Sequence, residues 1–332
     1  MLAYVVRRLL TIIPMFLVLS FVIFLVIELP PGDYVSSQID RLSQMGSAAA
    51  EVEIERIIQQ YGLDQPFLSR YWRWITNALL HGEFGTSFQF ARSVGDILAD
   101  RIPLTVALSV SSLLLAWLVA IPIGIYSATH QYSAMDYIFT LFGFFGLGTP
   151  GWLIAILGAW LSLRYLNYVP IGLFSTEFID QPMSWAKAID GLKHFWFPIV
   201  LTGLTTMGGT IRLVRNNLLD QLRQQYVITA RAKGLSEFRL LIKYPVRLAI
   251  NPLVSSIGFI LPRLITSGGI VAIVLGIPTV SPILYSAITT QDMYLAGTIL
   301  LFFTGLVLVG SLLSDILLAW IDPRIRFGGG AR

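Results

Sequence analysis

Apolar positions in this chain gather into long unbroken runs, without the two-residue alternation of a half-buried strand. Leu9 to Glu28 carries no charge before its last residue, and comparable runs occupy Pro103 to Ala128, Tyr137 to Leu163, Phe195 to Ile211, Pro252 to Gly276 and Tyr294 to Ile321. A helix needs about 20 mostly apolar residues to cross the hydrocarbon of a bilayer. The pattern therefore predicts six transmembrane helices, the fourth of them short. The fifth run holds one charge, Arg263, and the sixth holds Asp315 near its end. Arg7 and Arg8 flank the first run as they would flank a signal peptide. The length of the run and the lack of a small-x-small site after it read instead as a retained anchor.

Two polar stretches carry helical patterning of their own. Between the first two runs, Pro30 to Ile102 is too polar for lipid. Within it Ala48 to Tyr61 has apolar residues near helical spacing and Gly62 as a stop, and Phe67 to Leu80 forms a second helix rich in Tyr71, Trp72 and Trp74. These predict a small helical subdomain whose aromatics serve as interface anchors or as a docking surface for a delivery protein. The second stretch is Leu218 to Arg247. Leu218 to Lys233 reads as an amphipathic helix ended by Gly234, Ser236 as the cap of a second short helix with Glu237 in its first turn, and Pro245 as the end of helix before it. On pattern alone this hairpin is either a basic element on anionic lipid or a docking element for another protein.

Charge placement gives orientation. Arg212, Arg215, Arg223, Arg231, Lys233, Arg239, Lys243 and Arg247 lie between the fourth and fifth runs, and Arg7, Arg8, Arg324, Arg326 and Arg332 lie near the termini. Six crossings put all three regions on one side, which the positive-inside rule makes cytoplasmic. The subdomain between the first two spans is then extracytoplasmic. Composition agrees with the membrane reading: 55% of the residues are hydrophobic and only 13% charged, against about 25% charged in soluble domains. There is no cysteine, which excludes disulfides and thiolate chemistry. His81, His130 and His194 are scattered, and neither G-x-x-x-x-G-K-[ST] nor G-x-S-x-G occurs, so the chain lacks its own phosphate cradle and nucleophile elbow.

The segment YVITARAKGL, Tyr226 to Leu235, is similar to the cytoplasmic EAA signature of binding-protein-dependent ABC permeases, in the form used by the dipeptide and oligopeptide branch. Further matches follow in the order of that branch: MLAYVVRRLLTIIP at the start, PPGD at Pro30 to Asp33, YGLDQP at Tyr61 to Pro66, HGEFGTS at His81 to Ser87, RIPLT at Arg101 to Thr105 and DPRIR at Asp322 to Arg326. The resemblance implies an all-α integral membrane protein with the six helices of the type I ABC importer permease fold. It divides the chain into residues 1–102, the first helix with the extracytoplasmic subdomain, and residues 103–332, the permease domain with its coupling loop at about 218–247.

It also implies that Thr229, Ala230, Arg231, Ala232, Lys233, Gly234 and Leu235 dock on an ATPase subunit. ATP and magnesium would be bound by such partner subunits and not by this chain. The partners implied are a second homologous permease, two ABC ATPases and an extracytoplasmic solute-binding protein, in a prokaryotic inner membrane. Relatives of the branch carry peptides, oligosaccharides, opines or nickel. This chain departs from the peptide pattern after the fifth run, where IPTVSP, Ile277 to Pro282, replaces a W-P-G-L-G-like turn. A stand-alone secondary transporter is the alternative of another class, but no half-to-half repeat supports it.

For the pathway, Gly146 to Trp152 (GLGTPGW) and Gly268-Gly269 are candidate helix breaks lining a cavity, or else small-residue packing sites. Arg263 is costly at mid-membrane, by about 2.5 to 3.5 kcal/mol on insertion scales. It is expected to face a wet cavity or an acid. Pro150, Arg263, Gly268 and Gly269 are thus the candidate pathway residues.

Overall fold

The computed structural model describes residues 2–28, 34–61, 64–168 and 171–321. The predicted stop at Gly62, the whole of PPGD and the terminal DPRIR with Arg324, Arg326 and Arg332 lie outside them. The helices are α1 (Leu2–Glu28), α2 (Tyr34–Met45), α3 (Ala48–Tyr61), α4 (Phe67–Thr76), α5 (Val94–Thr129), α6 (Ala134–Gly148), α7 (Gly151–Leu166), α8 (Trp185–Leu222), α9 (Gln225–Ala232), α10 (Glu237–Lys243), α11 (Pro245–Ser255), α12 (Ile257–Leu275), α13 (Val280–Thr289) and α14 (Met293–Ile321). One two-residue antiparallel ladder, β1 (Thr86–Ser87) with β2 (Arg92–Ser93), precedes α5. Among the described residues five helices are long and apolar enough to span a membrane: α1, α5, α8, α12 and α14. The pair α6–α7 makes a sixth candidate, bent by 111°.

The bend falls inside GLGTPGW, one of the two candidate breaks, so the third run is not one continuous helix, and its cause is local. Proline disfavours helical backbone in the residue before it, and Thr149 is extended, with φ −97° and ψ 127°. Pro150 then caps α7, where its missing N–H costs nothing. The fifth run is also divided: α11 ends at Ser255 and the spanning helix starts at Ile257. At that joint the hydroxyls of Ser255 and Ser256 bond back to the carbonyls of Asn251 and Leu253, at 2.9 and 2.7 Å, competing with the helical ladder. The fourth run sits inside a helix more than twice its length, α8. Helix α13, in the IPTVSP region, was not anticipated.

The chain divides into two compact units, one of Met1–Arg8, Leu104–Ser281 and Val307–Arg332, the other of Leu9–Pro103 and Pro282–Leu306. In the first unit α8 is the central support, and glycines bring its neighbours close, as small residues do between membrane helices. A Cβ on Gly208 of α8 would collide with the backbone of Gly143 of α6, and one on Gly124 of α5 would lie 2.8 Å from Val214 Cβ. Ile154 and Ala155 of α7, Phe197 and Leu201 of α8, and Val271, Ala272 and Leu275 of α12 form one buried cluster. Asp315 is held by Arg8 of the first helix through two bonds of 2.9 Å.

In the second unit Phe24 of α1 packs with Tyr71, Trp74 and Ile75 of α4 and Leu301 of α14. Tyr71 hydroxyl meets Ser20 Oγ at 2.9 Å, and Arg70 pairs with Glu28 at 2.8 Å. Two of the three aromatics expected at an interface are therefore core residues, and Trp72 alone stays exposed. The β1–β2 turn is fixed to the start of α14 by the fully buried Asp292, which accepts bonds from Ser87 Oγ at 2.6 Å and from the Gln89 and Leu295 amides.

Candidate functional site

The hairpin 225–243 is built differently from its expected form. No single helix runs from Leu218 to Lys233. Helix α8 ends at Leu222, Arg223 closes it, and Gln224 is extended at ψ 148° before α9 begins. The Gln224 amide bonds to the Asp220 carbonyl at 3.3 Å and Tyr226 hydroxyl to Gln221 Oε1 at 2.7 Å. The corner therefore answers part of α8's terminal hydrogen-bonding need with side chains. Turning the chain there lets the apolar face of α9 meet α10: Val227, Ala230 and Leu240 are buried together, with Tyr226, Leu235 and Tyr244 around them.

The turn between α9 and α10 is a Schellman closure. Gly234 N–H donates to Arg231 O at 3.0 Å and Leu235 N–H to Ala230 O at 3.4 Å, the two bonds that define the motif. Gly234 has φ +77°, the left-handed conformation that a side chain resists. Its apolar partner contact, Leu235 with Ala230, lies in the buried cluster. Ser236 is the N-cap residue of α10, as expected, yet its side chain makes no capping bond. The closure is carried instead by Arg231, which grips Glu237 with Nε–Oε1 2.6 Å and Nη2–Oε2 3.1 Å. The bonded guanidinium holds the Glu237 carboxyl below its ordinary range, and the carboxylate raises Arg231 in turn.

The seven predicted positions divide between two faces. Ala230 is inward and Leu235 half-buried, whereas Thr229, Arg231, Ala232, Lys233 and Gly234 are exposed. Sequence reasoning missed the apolar residues that accompany them outward: Ile228, Phe238 and Ile242 are exposed at 50%, 73% and 54%. Phe238 and Ile242 stand four residues apart on α10, a spacing that puts them on one helix face. These are large apolar side chains left uncovered on a small polar hairpin.

The pathway candidates are distributed along α12 and the α6–α7 elbow. Gly151, next to Pro150, lies beside Thr205 of α8 and the Ser267 carbonyl of α12, and Gly268 lies against Thr202 of α8. Pro150 and Gly268 are thus brought to the same level of α8. Gly269 faces the Ser281 side chain. Helix α12 runs unbroken through Gly268 and Gly269, so of the two alternatives there the break is overturned, and both glycines are buried against neighbouring side chains, as packing positions are. Arg263 is exposed and is in none of the ion pairs found among the described residues. It lies one helical turn before Ser267, and the Ser267 and Thr202 hydroxyls are buried without a partner, polar groups that sequence alone did not single out. Among the described residues no three acids, histidines or cysteines are placed to hold a metal ion.

Long apolar helices with a structured polar hairpin between α8 and α11 define a helical membrane protein. The chain belongs to the family described as binding-protein-dependent transport system inner membrane component, which it matches over residues 120–327. Residues 1–109 match the N-terminal region of the same kind of membrane component. The chain is 32% identical over 330 residues to the oligopeptide transport system permease protein AppB of Bacillus subtilis, covering 98% of this chain and all of that one. It is 28% identical to the peptidoglycan transport system permease protein YejB of Agrobacterium fabrum, over 98% of each. Among solved structures, a chain of the MetNI methionine ABC transporter in an inward-facing conformation superposes with a TM-score of 0.52 at 16% identity. The match covers 68% of this chain and 96% of that one, and it supports the fold.

Proposed function

We propose that this chain is one of two permease subunits of an ATP-driven importer of peptides, and that the 225–243 hairpin couples it to a separate ATPase subunit. The observation that carries the proposal is the hairpin's construction: a Schellman-closed turn clamped by Arg231 and Glu237, anchored inward by Val227, Ala230 and Leu240, with Ile228, Phe238 and Ile242 bare outside. A rigid element with an uncovered apolar face suits transmission of a push from a partner. Peptide as cargo is supported by the named oligopeptide relative; oligosaccharides, opines or nickel are the second reading, favoured by the IPTVSP departure. The termini and the hairpin lie on the cytoplasmic side by the distribution of Lys and Arg.

Co-expression with the neighbouring genes tests the assembly. The subunit should bring down a protein carrying a Walker motif, and purification without one contradicts the proposal. A binding screen on the cognate solute-binding protein decides the cargo. Arg263, Pro150, Gly268 and Gly269 are proposed to line or support the pathway. Arg263→Ala should then abolish uptake and leave the complex assembled, and unchanged uptake removes Arg263 from the pathway.

A further inference from the structure

A second polar site lies between α6 and α8, away from the hairpin. A cavity of about 240 Å³ opens there, lined by Thr140 and Phe144 of α6, by Arg212, Arg215 and Asn216 of α8, and by the closely approaching Gly143 and Gly208. Its two arginines are not equivalent. Arg215 is committed to Asp136, with Nη2–Oδ2 3.1 Å and Nε–Oδ1 3.3 Å. Arg212 is exposed and holds its guanidinium 4.5 Å over the Phe144 ring. Among the described residues none forms an ion pair or hydrogen bond with Arg212, and Thr140 and Asn216 likewise have free donors. The cavity therefore presents one uncompensated cation and two neutral donors.

Its position limits what can occupy it. Arg212 follows directly on the apolar run that ends at Ile211, so it sits where hydrocarbon gives way to headgroups. On α6, Phe144 itself is exposed at 54%, and Leu141 and Phe145, on the adjoining helix face, at 72% and 57%, so apolar surface continues from the ring that carries the cation. A ligand fitting both features is amphipathic and anionic, with a phosphate at Arg212 and acyl chains along α6. Basic pockets between membrane helices take anionic headgroups in this way, and an arginine stacked on an aromatic ring is already oriented for a phosphate.

We infer that the Arg212–Phe144 cleft is a binding site for the headgroup of an anionic phospholipid, holding the α6–α8 pair at the membrane surface. The inference needs the membrane setting of the chain, and it stands whether or not the cargo is a peptide. The test uses the assembled transporter in nanodiscs of phosphatidylcholine with a minor fraction of phosphatidylglycerol. Native mass spectrometry then counts the lipids retained after release. The wild type should retain phosphatidylglycerol preferentially, and Arg212→Gln should lower that preference about fivefold, the factor one basic residue near a charged surface provides. Arg223→Gln, an exposed arginine at the end of α8 outside the cleft, should leave it unchanged. A second variant, Phe144→Leu, should weaken retention with Arg212 intact. The inference is overturned if the wild type shows no preference, if Arg212→Gln and Arg223→Gln behave alike, or if millimolar inorganic phosphate abolishes the preference, which would make the cleft a site for free anions.

Discussion

Gly234 turns the chain with φ +77° and has nothing within 4 Å of where a Cβ would stand. A side chain there is resisted by backbone conformation and not by space. Gly234→Ala should cost about 1 kcal/mol, seen as roughly fivefold faster opening of the amides at 234 and 235 in hydrogen exchange; unchanged protection would mean the turn is not under conformational control. Gly234→Asn should cost less, because asparagine tolerates the left-handed region. The Arg231–Glu237 clamp makes a prediction about pH. Bonding to Arg231 lowers the Glu237 carboxyl in the folded hairpin, so the folded hairpin takes up its proton less readily than the open one. Its contribution is complete above the ordinary glutamate value of 4.5 and is lost as pH falls through the lower folded value. Protection of the turn amides should decline over that acid range in the wild type and be flat in Arg231→Gln. Both side chains are solvent-exposed, so the effect is small and weakens further in salt.

Helix contacts in the first unit depend on the absence of side chains. A Cβ on Gly208 would run into the backbone of Gly143, which cannot move aside as a flexible side chain can. Gly208→Ala should destabilise the α6–α8 pair by about 1 to 3 kcal/mol, read as a lowered midpoint of thermal unfolding in detergent. Gly209→Ala, where the nearest atom is Leu147 Cδ2 at 3.7 Å, should be close to neutral, and equal losses at both positions would contradict the packing described. Elements of this kind differ in how far the sequence discloses them. The long apolar runs place α14 nearly at its observed bounds and the C-terminal ends of α1 and α5 within a residue, while both of those helices begin earlier, at Leu2 and Val94, because insertion in lipid depends on hydropathy summed over many residues. The elbow at Thr149–Pro150 was visible as a proline motif, but the sequence offered no measure of its 111° angle. The corner at Arg223–Gln224 was missed because no proline or glycine marks it. It exists so that Val227 and Ala230 can reach Leu240, a tertiary demand that overrides the helical propensity of Leu218 to Lys233.

At the scale of the whole chain, family membership and the spans agree with the reading of the residues. The site was legible in its inner logic and not in its outer face. Thr229 to Leu235 was recognisable as a motif, whereas the exposure of Phe238 and Ile242 is a property of the folded hairpin, since the same residues could equally have packed inward. The buried Asp292, which binds the β1–β2 turn to α14, was equally invisible, because nothing in sequence joins positions about two hundred residues apart. The coupling role proposed for the hairpin is open to direct measurement, made easier because the chain has no cysteine. Lys233→Cys would introduce its single thiol at the exposed turn, and Trp185→Cys would place one at a residue 87% exposed at the far end of α8. Each variant, labelled with a thiol-reactive benzophenone in the assembled transporter, is irradiated and analysed for adducts. Coupling through the hairpin predicts an adduct with the ATPase subunit from position 233 and none from position 185. Failure to capture the ATPase from position 233, or equal capture from both positions, would contradict it.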